Sequence, residues 1–354
     1  MKQNLLDLNY DDLKYFLNKK IGIDEKKLNM RAQQIFTAVY QKGLNDFNQL
    51  TTVPVELRKI LEKNISFNNS KVAETHKSTD GTLKFLIELS DGNKVECVYI
   101  PEKTRGTICI SSQVGCSLTC TFCRSGTQKL VKNLSVSEIV SQIMLVKEKL
   151  KDWGEQKIIS NIVFMGQGEP LINMKNLKTA IEILKDKKGL NYGNKKITVS
   201  TSGIANKIPE AANEIGTYLA LSLHAPNDKL REEIMPINKK FKIKELIQQL
   251  KYYTSVVKEP IFLEYVMLKG INDTEDCAKQ LVKLMGQFPS KVNLIEFNSW
   301  PGVKFEPTER KNIEKFSKFI QDKGYMSFIR RSRGDDVLAA CGQLRTESEK
   351  KVVN

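Results

Sequence analysis

The chain reads as an α/β protein: a partial (β/α)6 barrel preceded by an N-terminal helical accessory domain. Three observations predict this. From Thr107 onward, short β-branched apolar runs alternate with amphipathic helical stretches. Such repeated βα units imply parallel strands with right-handed crossovers. The first seventy residues carry helical periodicity with no strand between them, and a single hairpin pattern separates the two regions.

In the helical region, Tyr10–Asn18 and Arg31–Gly43 place apolar residues such as Ile35, Val39 and Tyr40 at helical spacing. A further helix is expected after Pro54, from Val55 to Lys63. Ser66 to Ser70 is mostly polar and reads as a linker. Leu83–Leu89 and Lys94–Ile100 alternate as strands around Ser90-Asp91-Gly92-Asn93, a good hairpin turn. Barrel strands are expected at Ile108–Ile110, Asn161–Met165, Ile197–Thr201, Thr217–Leu223, Phe262–Met267 and Val292–Phe297. A seventh extended segment follows at Met326–Arg331. The intervening helices are Val136–Trp153, Asn176–Lys187, Lys242–Tyr252 and Asp276–Phe288, with a last one over Glu309–Lys323. Six such units are too few for a closed eight-stranded barrel, so an open one is expected. The organisation is therefore a helical domain (1–70), a hairpin extension or linker (71–105), the barrel (106–345) and a charged, disordered tail (346–354).

Cys116, Cys120 and Cys123 form a Cys-x3-Cys-x2-Cys run on one loop after the first barrel strand. Three thiolates so placed suit an iron–sulfur cluster, whose fourth iron then has no protein ligand nearby and is open to a small molecule. An open iron of this kind is the mark of a radical S-adenosylmethionine enzyme, in which the cofactor's amino and carboxylate groups chelate it. Zinc with a fourth ligand, or three structural cysteines, are the competing readings.

Function in such barrels gathers at the carboxyl ends of the strands. Gly166-Gln167-Gly168-Glu169-Pro170-Leu171 follows the second strand. Its glycines permit close backbone approach to a ligand, and Glu169 offers a carboxylate to an ammonium group. Ser200 closes the third strand, Ser222-Leu223-His224 the fourth and Asn298 the sixth. Hydroxyl, amide and imidazole groups there can hydrogen-bond a ribose or carboxylate, although each alone is compatible with an ordinary turn. Cys109 on the first strand and Cys341 near the C-terminus have inert burial as their default, as do Cys97 and Cys277. Glu96 occupies what is normally the solvent-facing place of an alternating strand.

Of 354 residues, 56 are Lys or Arg and 41 Asp or Glu, for a net charge of +15. This attracts polyanions, nucleic acid first. From Pro101 to Asn133 the basic residues Lys103, Arg105, Arg124, Lys129 and Lys132 face one acid, Glu102, which places a basic rim around the cysteine loop. Seven cysteines, an odd and partly clustered set, do not read as a secreted disulfide framework. No signal-like start or membrane-length apolar stretch is present, so a cytoplasmic, membrane-free monomer is expected.

Taken in order, Arg31-Ala32-Gln33-Gln34, Ile110-Ser111-Ser112-Gln113-Val114-Gly115-Cys116, Gly168-Glu169-Pro170-Leu171, Ser222-Leu223-His224-Ala225-Pro226 and Gly334-Asp335-Asp336…Cys341-Gly342-Gln343-Leu344 resemble the RlmN family over the whole chain. These are adenine-C2 methyltransferases of 23S rRNA and tRNA built on a radical S-adenosylmethionine barrel. The resemblance implies a 4Fe-4S cluster on Cys116, Cys120 and Cys123, and S-adenosylmethionine contacts from Gly168, Glu169, Ser200, Ser222, Leu223, His224 and Asn298. It also implies that Cys341 becomes methylated and that a 5′-deoxyadenosyl radical takes hydrogen from that methyl group. The carbon then joins the RNA base, and Cys109 resolves the covalent adduct by a disulfide with Cys341. Either Glu96 or Cys109 takes the C2 proton. A flavodoxin- or ferredoxin-type protein is the implied reductant, and the helical domain the implied RNA grip. Gln167 and Arg124-Ser125 depart from the family pattern without removing a ligand. Relatives acting on adenine C8 usually carry Gly-Glu-Ala-Leu where this chain has Pro170. The alternatives are that C8 reaction, a non-catalytic zinc RNA-binding protein, and a radical enzyme acting on a small molecule.

Overall fold

The computed structural model describes residues 2–67 and 70–346. Ten strands form one sheet: β1 (Lys71–Lys77), β2 (Leu83–Glu88), β3 (Lys94–Pro101), β4 (Gly106–Cys109), β5 (Asn161–Phe164), β6 (Ile197–Thr201), β7 (Tyr218–Ser222), β8 (Ile261–Met267), β9 (Ser290–Glu296) and β10 (Ser327–Arg330). Their spatial order follows their sequence order without interruption. From β4 to β10 every pairing is parallel, whereas β1 to β4 pair antiparallel. The expected open barrel is thus present, with the seventh extended segment as its last strand.

Helices α1 (Tyr10–Lys19), α2 (Glu25–Lys42) and α3 (Val55–Asn64) form the N-terminal unit. Outside the barrel lie α4 (Val136–Leu150), α5 (Met174–Lys185), α6 (Ile208–Glu214), α7 (Asp228–Ile234), α8 (Ile243–Val257), α9 (Glu275–Met285) and α10 (Arg310–Asp322). A capping box starts α4: Ser135 Oγ accepts the Glu138 N–H, and Glu138 accepts the Ser135 N–H. The central strands are apolar on both faces because helices cover one side and the barrel interior the other.

The N-terminal unit is docked on the barrel. Asn9 donates to Glu182 at 2.8 Å, Gln41 donates to the Lys187 carbonyl at 2.8 Å, and Asp7 accepts the Ser137 N–H at 2.7 Å. Ile35, Phe36 and Val39 join one continuous core with the barrel helices.

The structure corrects several boundaries. Residues 71–101 make three strands, not a hairpin alone. In β1 all residues except Val72 are exposed, so it carries no apolar alternation and reads as loop; its charges protect a bare sheet edge. Helix α2 begins six residues earlier than expected, at Glu25, because its first turns are exposed and only the Asp24 cap announces them. Helices α6 and α7 span seven residues each, too short for a periodic pattern. Thr346, assigned to the tail, is buried, and 347–354 lie outside the described residues. The linker reading of 66–70 falls partly on residues 68 and 69, which also lie outside them. Among the described residues, no helix is long and apolar enough to cross a membrane.

Entry into β5 depends on a buried ion pair. Asp152 accepts from Lys147 at 3.0 Å and from the Ile158 and Ile159 N–H groups at 2.7 and 3.1 Å. Truncation leaves two amides without partners and a buried ammonium with no counter-charge, held only by the Asp152 carbonyl and the Trp153 ring. Asp152→Ala is therefore expected to lower unfolding free energy by about 3–5 kcal/mol, read as a lower denaturation midpoint in urea.

Candidate active site

The cysteine loop is an excursion between β4 and α4. Gln113–Val114 pairs with Lys132–Asn133 at its base, and Cys116 bridges to Lys129. Gly115 holds φ +75°, and a Cβ there would lie 2.2 Å from the Lys129 carbonyl oxygen, so the strand can pass only over glycine. Phe122 anchors the tip in a small apolar cluster with Met235, Val266 and Phe297. The three thiols line one end of a cavity of about 150 Å3.

The donor set fits a cluster. Burial pushes the Cys116 thiol up to about 11 and raises Cys120 and Cys123, while neighbouring thiols add repulsion. Three thiolates gathered here need cationic iron to stay ionised. Backbone N–H groups from Leu118 at Cys116 and from Ser125 and Gly126 at Cys123 favour the thiolates. Among the described residues no three Cys, His, Asp or Glu side chains gather as a single-ion site. A cubane asks less, since its irons are separate corners.

Gly168, Glu169, Ser200, Ser222, His224 and Cys341 line the same cavity. Gly168, at φ +98°, abuts Gln113: an added Cβ would meet its side chain at 2.5 Å. Gln113 Oε1 accepts the Glu169 N–H at 3.0 Å and the Ser117 N–H at 3.2 Å, fastening the glycine turn to the cysteine loop. The Glu169 carboxylate accepts from the Ser202 N–H at 2.7 Å and the Leu171 N–H at 3.2 Å. Burial raises its proton affinity and those N–H groups oppose the rise. It is a fixed acceptor suited to an ammonium group.

His224 has φ +55° and is buried. Its Nδ1 accepts the Val266 N–H at 3.0 Å, so the neutral ring carries its proton on Nε2. Burial, with the nearby Arg231 charge, lowers its pKa to about 3.

Two expected contacts are placed elsewhere. The Leu223 side chain is in the core, its N–H donates to the Glu264 carbonyl, and its own carbonyl accepts from Arg231. It presents nothing to the cavity. Asn298 lines a second cavity of about 90 Å3 and donates to the Cys341 carbonyl at 3.3 Å.

That second cavity is bordered by Cys109 and Cys341, and Cys341 is common to both cavities. Burial pushes the Cys109 thiol up to about 12, and the neighbouring Cys341 adds to the rise. Glu96 is buried, contrary to its expected solvent-facing place. It pairs with Lys84 at 3.2 Å and accepts the Arg345 N–H at 2.8 Å, and it lines neither cavity. Burial raises its pKa, partly offset by Lys84. The basic rim is also thinner than its composition: Lys132 pairs with Asp91 and Glu138, and Arg105 with Glu102.

Sequence reasoning missed three residues. Arg231, wholly buried, donates to the carbonyls of Ser202, Ser222 and Leu223 and to Asn238. It stands in a charged stretch that reads as a solvated helix face. Glu264 lines the first cavity, and Arg330 lines both; they pair at 3.3 Å. An acid inside the apolar run Phe262–Met267 was the available signal.

An open parallel barrel with three thiols at its mouth, a pinned carboxylate and strand-end hydroxyls defines a radical S-adenosylmethionine enzyme. Residues 110–281 match the Radical SAM superfamily. A crystal structure of a radical SAM methyltransferase from Sphaerobacter thermophilus superposes with a TM-score of 0.90 at 34% identity, over 97% of this chain and 99% of that one. Residues 3–66 match the ribosomal RNA large subunit methyltransferase N-terminal domain. The dual-specificity RNA methyltransferase RlmN of Parvibaculum lavamentivorans is 46% identical over 94% of this chain and 86% of its own length. That of Nitrobacter winogradskyi is 45% identical over 93% and 86%. The chain belongs to the RlmN family. It is an S-adenosylmethionine-dependent RNA methyltransferase whose cofactors are a 4Fe-4S cluster and S-adenosylmethionine.

The buried neutral His224 makes folding acid-sensitive. The unfolded ring takes a proton near pH 6.5 and the folded one near 3, so stability falls as pH drops through that window, by up to about 1.4 kcal/mol per unit. His224→Asn retains an acceptor and tolerates the left-handed backbone. Between pH 7 and 5, cluster-free wild type should lose more stability in denaturant titrations than this variant.

Proposed function

We propose that the chain methylates C2 of an adenine in 23S rRNA, in the peptidyl transferase centre, and C2 of the adenine next to the anticodon in tRNA. The observation that carries this reading is the place of Cys341, on the wall shared by the cluster cavity and the cavity of Cys109. The names of the relatives support RNA as substrate.

C2 of adenine lies between two ring nitrogens and has no lone pair to attack a sulfonium methyl group, so ordinary methyl transfer fails there. Once bound, the cluster and S-adenosylmethionine would supply one-electron chemistry able to take hydrogen from an unactivated methyl group. The chain's own residues do the rest. Cys116, Cys120 and Cys123 hold the cluster. Glu169, held by two backbone N–H groups, receives the ammonium end of the cofactor, with Gly168, Ser200, Ser222 and His224 around it. Cys341 carries the methyl carbon from the cofactor side to the RNA side. The Cys109 thiolate bonds the Cys341 sulfur, the bond from that sulfur to the carbon breaks with its electron pair left on the carbon and adenine ring, and a proton taken up there completes the methyl group on the base.

For the C2 proton, Cys109 lies on the wall of the cavity, while Glu96 lies behind Arg345. The acceptor is one of these two: Cys109 directly, or Glu96 if its hydrogen bond to the Arg345 amide is first given up, and burial raises the proton affinity of both. A flavodoxin- or ferredoxin-type protein supplies the electron.

Mass spectrometry of digested rRNA and tRNA from cells with and without the gene tests the reading. 2-Methyladenosine should vanish in the deletion; its persistence, or loss of the 8-methyl isomer instead, overturns the C2 assignment. Cys341→Ala should abolish RNA methylation. Cys109→Ala should accumulate a protein–RNA adduct that survives denaturing electrophoresis and disappears with ribonuclease; free turnover in that variant would remove Cys109 from the resolving role.

A further inference from the structure

Three arginines follow one another closely at the end of β10, and they are not equivalent. Arg330 pairs with Glu264. Arg333 pairs with Asp80 at 3.1 Å and donates to the carbonyls of Asp80 and Pro101 at 2.9 Å each. Arg331 is exposed and, among the described residues, its guanidinium has no hydrogen bond or ion pair. It lines the cavity of Cys109 and Cys341 but not the cluster cavity.

A second observation falls on the next residue. Ser332 lines the same cavity, and its hydroxyl oxygen is sealed from solvent without a partner among the described residues. A buried hydroxyl left unbonded is unfavourable, and that cost is removed when a ligand supplies the partner. One uncommitted guanidinium and one unsatisfied hydroxyl, on consecutive residues of a single cavity, call for an anionic, oxygen-rich ligand.

The rest of the cavity tells which. Val98, Ile100, Val163 and Leu344 make its walls apolar, and a thiol stands on either side of the reacting position. Apolar walls suit the faces of a base, and a base drawn out of its stack brings its own sugar and phosphates to the pocket mouth. The carboxylate of S-adenosylmethionine would be taken up by the cluster's open iron in the other cavity, which the three cysteines line.

We propose that Arg331 and Ser332 clamp the backbone of the target nucleotide. The Arg331 guanidinium holds the phosphodiester beside the reacting adenine, and the Ser332 hydroxyl donates to an oxygen of that phosphate or its ribose. This assignment rests on the RNA reading above. Both residues are positioning groups that set how deeply the base enters between Cys109 and Cys341.

The test uses full-length protein with its cluster reconstituted anaerobically and an in vitro transcribed tRNA carrying an adenine 3′ of its anticodon. Affinity is measured over a series of KCl concentrations. Arg331→Ala should weaken binding about tenfold and flatten the plot of log Kd against log salt by about one unit; Arg331→Lys should keep the slope with a smaller loss. Ser332→Ala should weaken binding about threefold at unchanged slope. An unchanged salt slope in Arg331→Ala overturns the clamp, as does loss of the methyl group on Cys341 by intact mass, which would assign Arg331 to the cofactor. Binding requires no turnover, so the clamp is decided separately. Failure of wild type to produce methyladenosine would strike the RNA reading instead.

Discussion

A buried guanidinium holds the mouth of this barrel in shape. Parallel strands end in carbonyl groups without neighbours, and Arg231 satisfies those of Ser202, Ser222 and Leu223 at once. Burying an arginine is unfavourable unless its donors are used, and burial brings its pKa down to about 10. From it runs an unbroken polar chain. Ser202, whose carbonyl Arg231 holds, gives its N–H to Glu169; Glu169 gives its N–H to Gln113, which also accepts from Ser117 beside the first cluster cysteine. Strand ends, the Glu169 carboxylate and the cysteine loop thus share one rigid frame, and a rigid frame is what positioning a reactive radical demands.

Against that frame stands an irregular element. The segment carrying Cys341 is neither helix nor strand, and it crosses the barrel mouth between two cavities. The rigid parts hold what must not move, namely cluster and cofactor. Cys341 sits on the segment that borders both cavities. Arg330 borders both cavities and keeps a positive charge beside both thiols, its own proton held more firmly by Glu264.

Much of the barrel was legible in the chain because its strands are β-branched and buried on both faces; β6 is found where Ile197–Thr201 predicted it. Strand β1 was not, since an exposed edge needs no apolar residues. The cysteine run, the glycine turn and the strand-end residues were legible as chemistry. Their convergence was not: β4 and β10 lie six places apart in the sheet, and Cys109 and Cys341 share a cavity only because the C-terminal stretch crosses back over the barrel, which no local pattern encodes. Glu96 misled because alternation predicts a face and not what covers it, and the covering piece is the chain's own C-terminal stretch. Leu223 misled in the opposite way, adjacent in sequence to cavity residues yet turned into the core. Arg231 was hidden by a general truth, that charged runs belong on surfaces.

The way the C-terminal stretch is fastened has a consequence for how it can vary. Glu96 grips the amide of Arg345, Arg124 donates its N–H to the Gly342 carbonyl at 2.7 Å, and Asn298 grips the Cys341 carbonyl. Main-chain atoms, shared by nearly all amino acids, make these attachments. The letter at 345 is therefore free to drift, proline excepted, whereas Cys341 is needed for its sulfur and Gly342 for its φ of +82°; the number of residues is fixed throughout. One inserted residue would displace the sulfur by about 3.5 Å, roughly a bond-forming distance, and separate it from one partner or the other. Outside Cys341 and Gly342, spacing rather than spelling is what heredity has to preserve here.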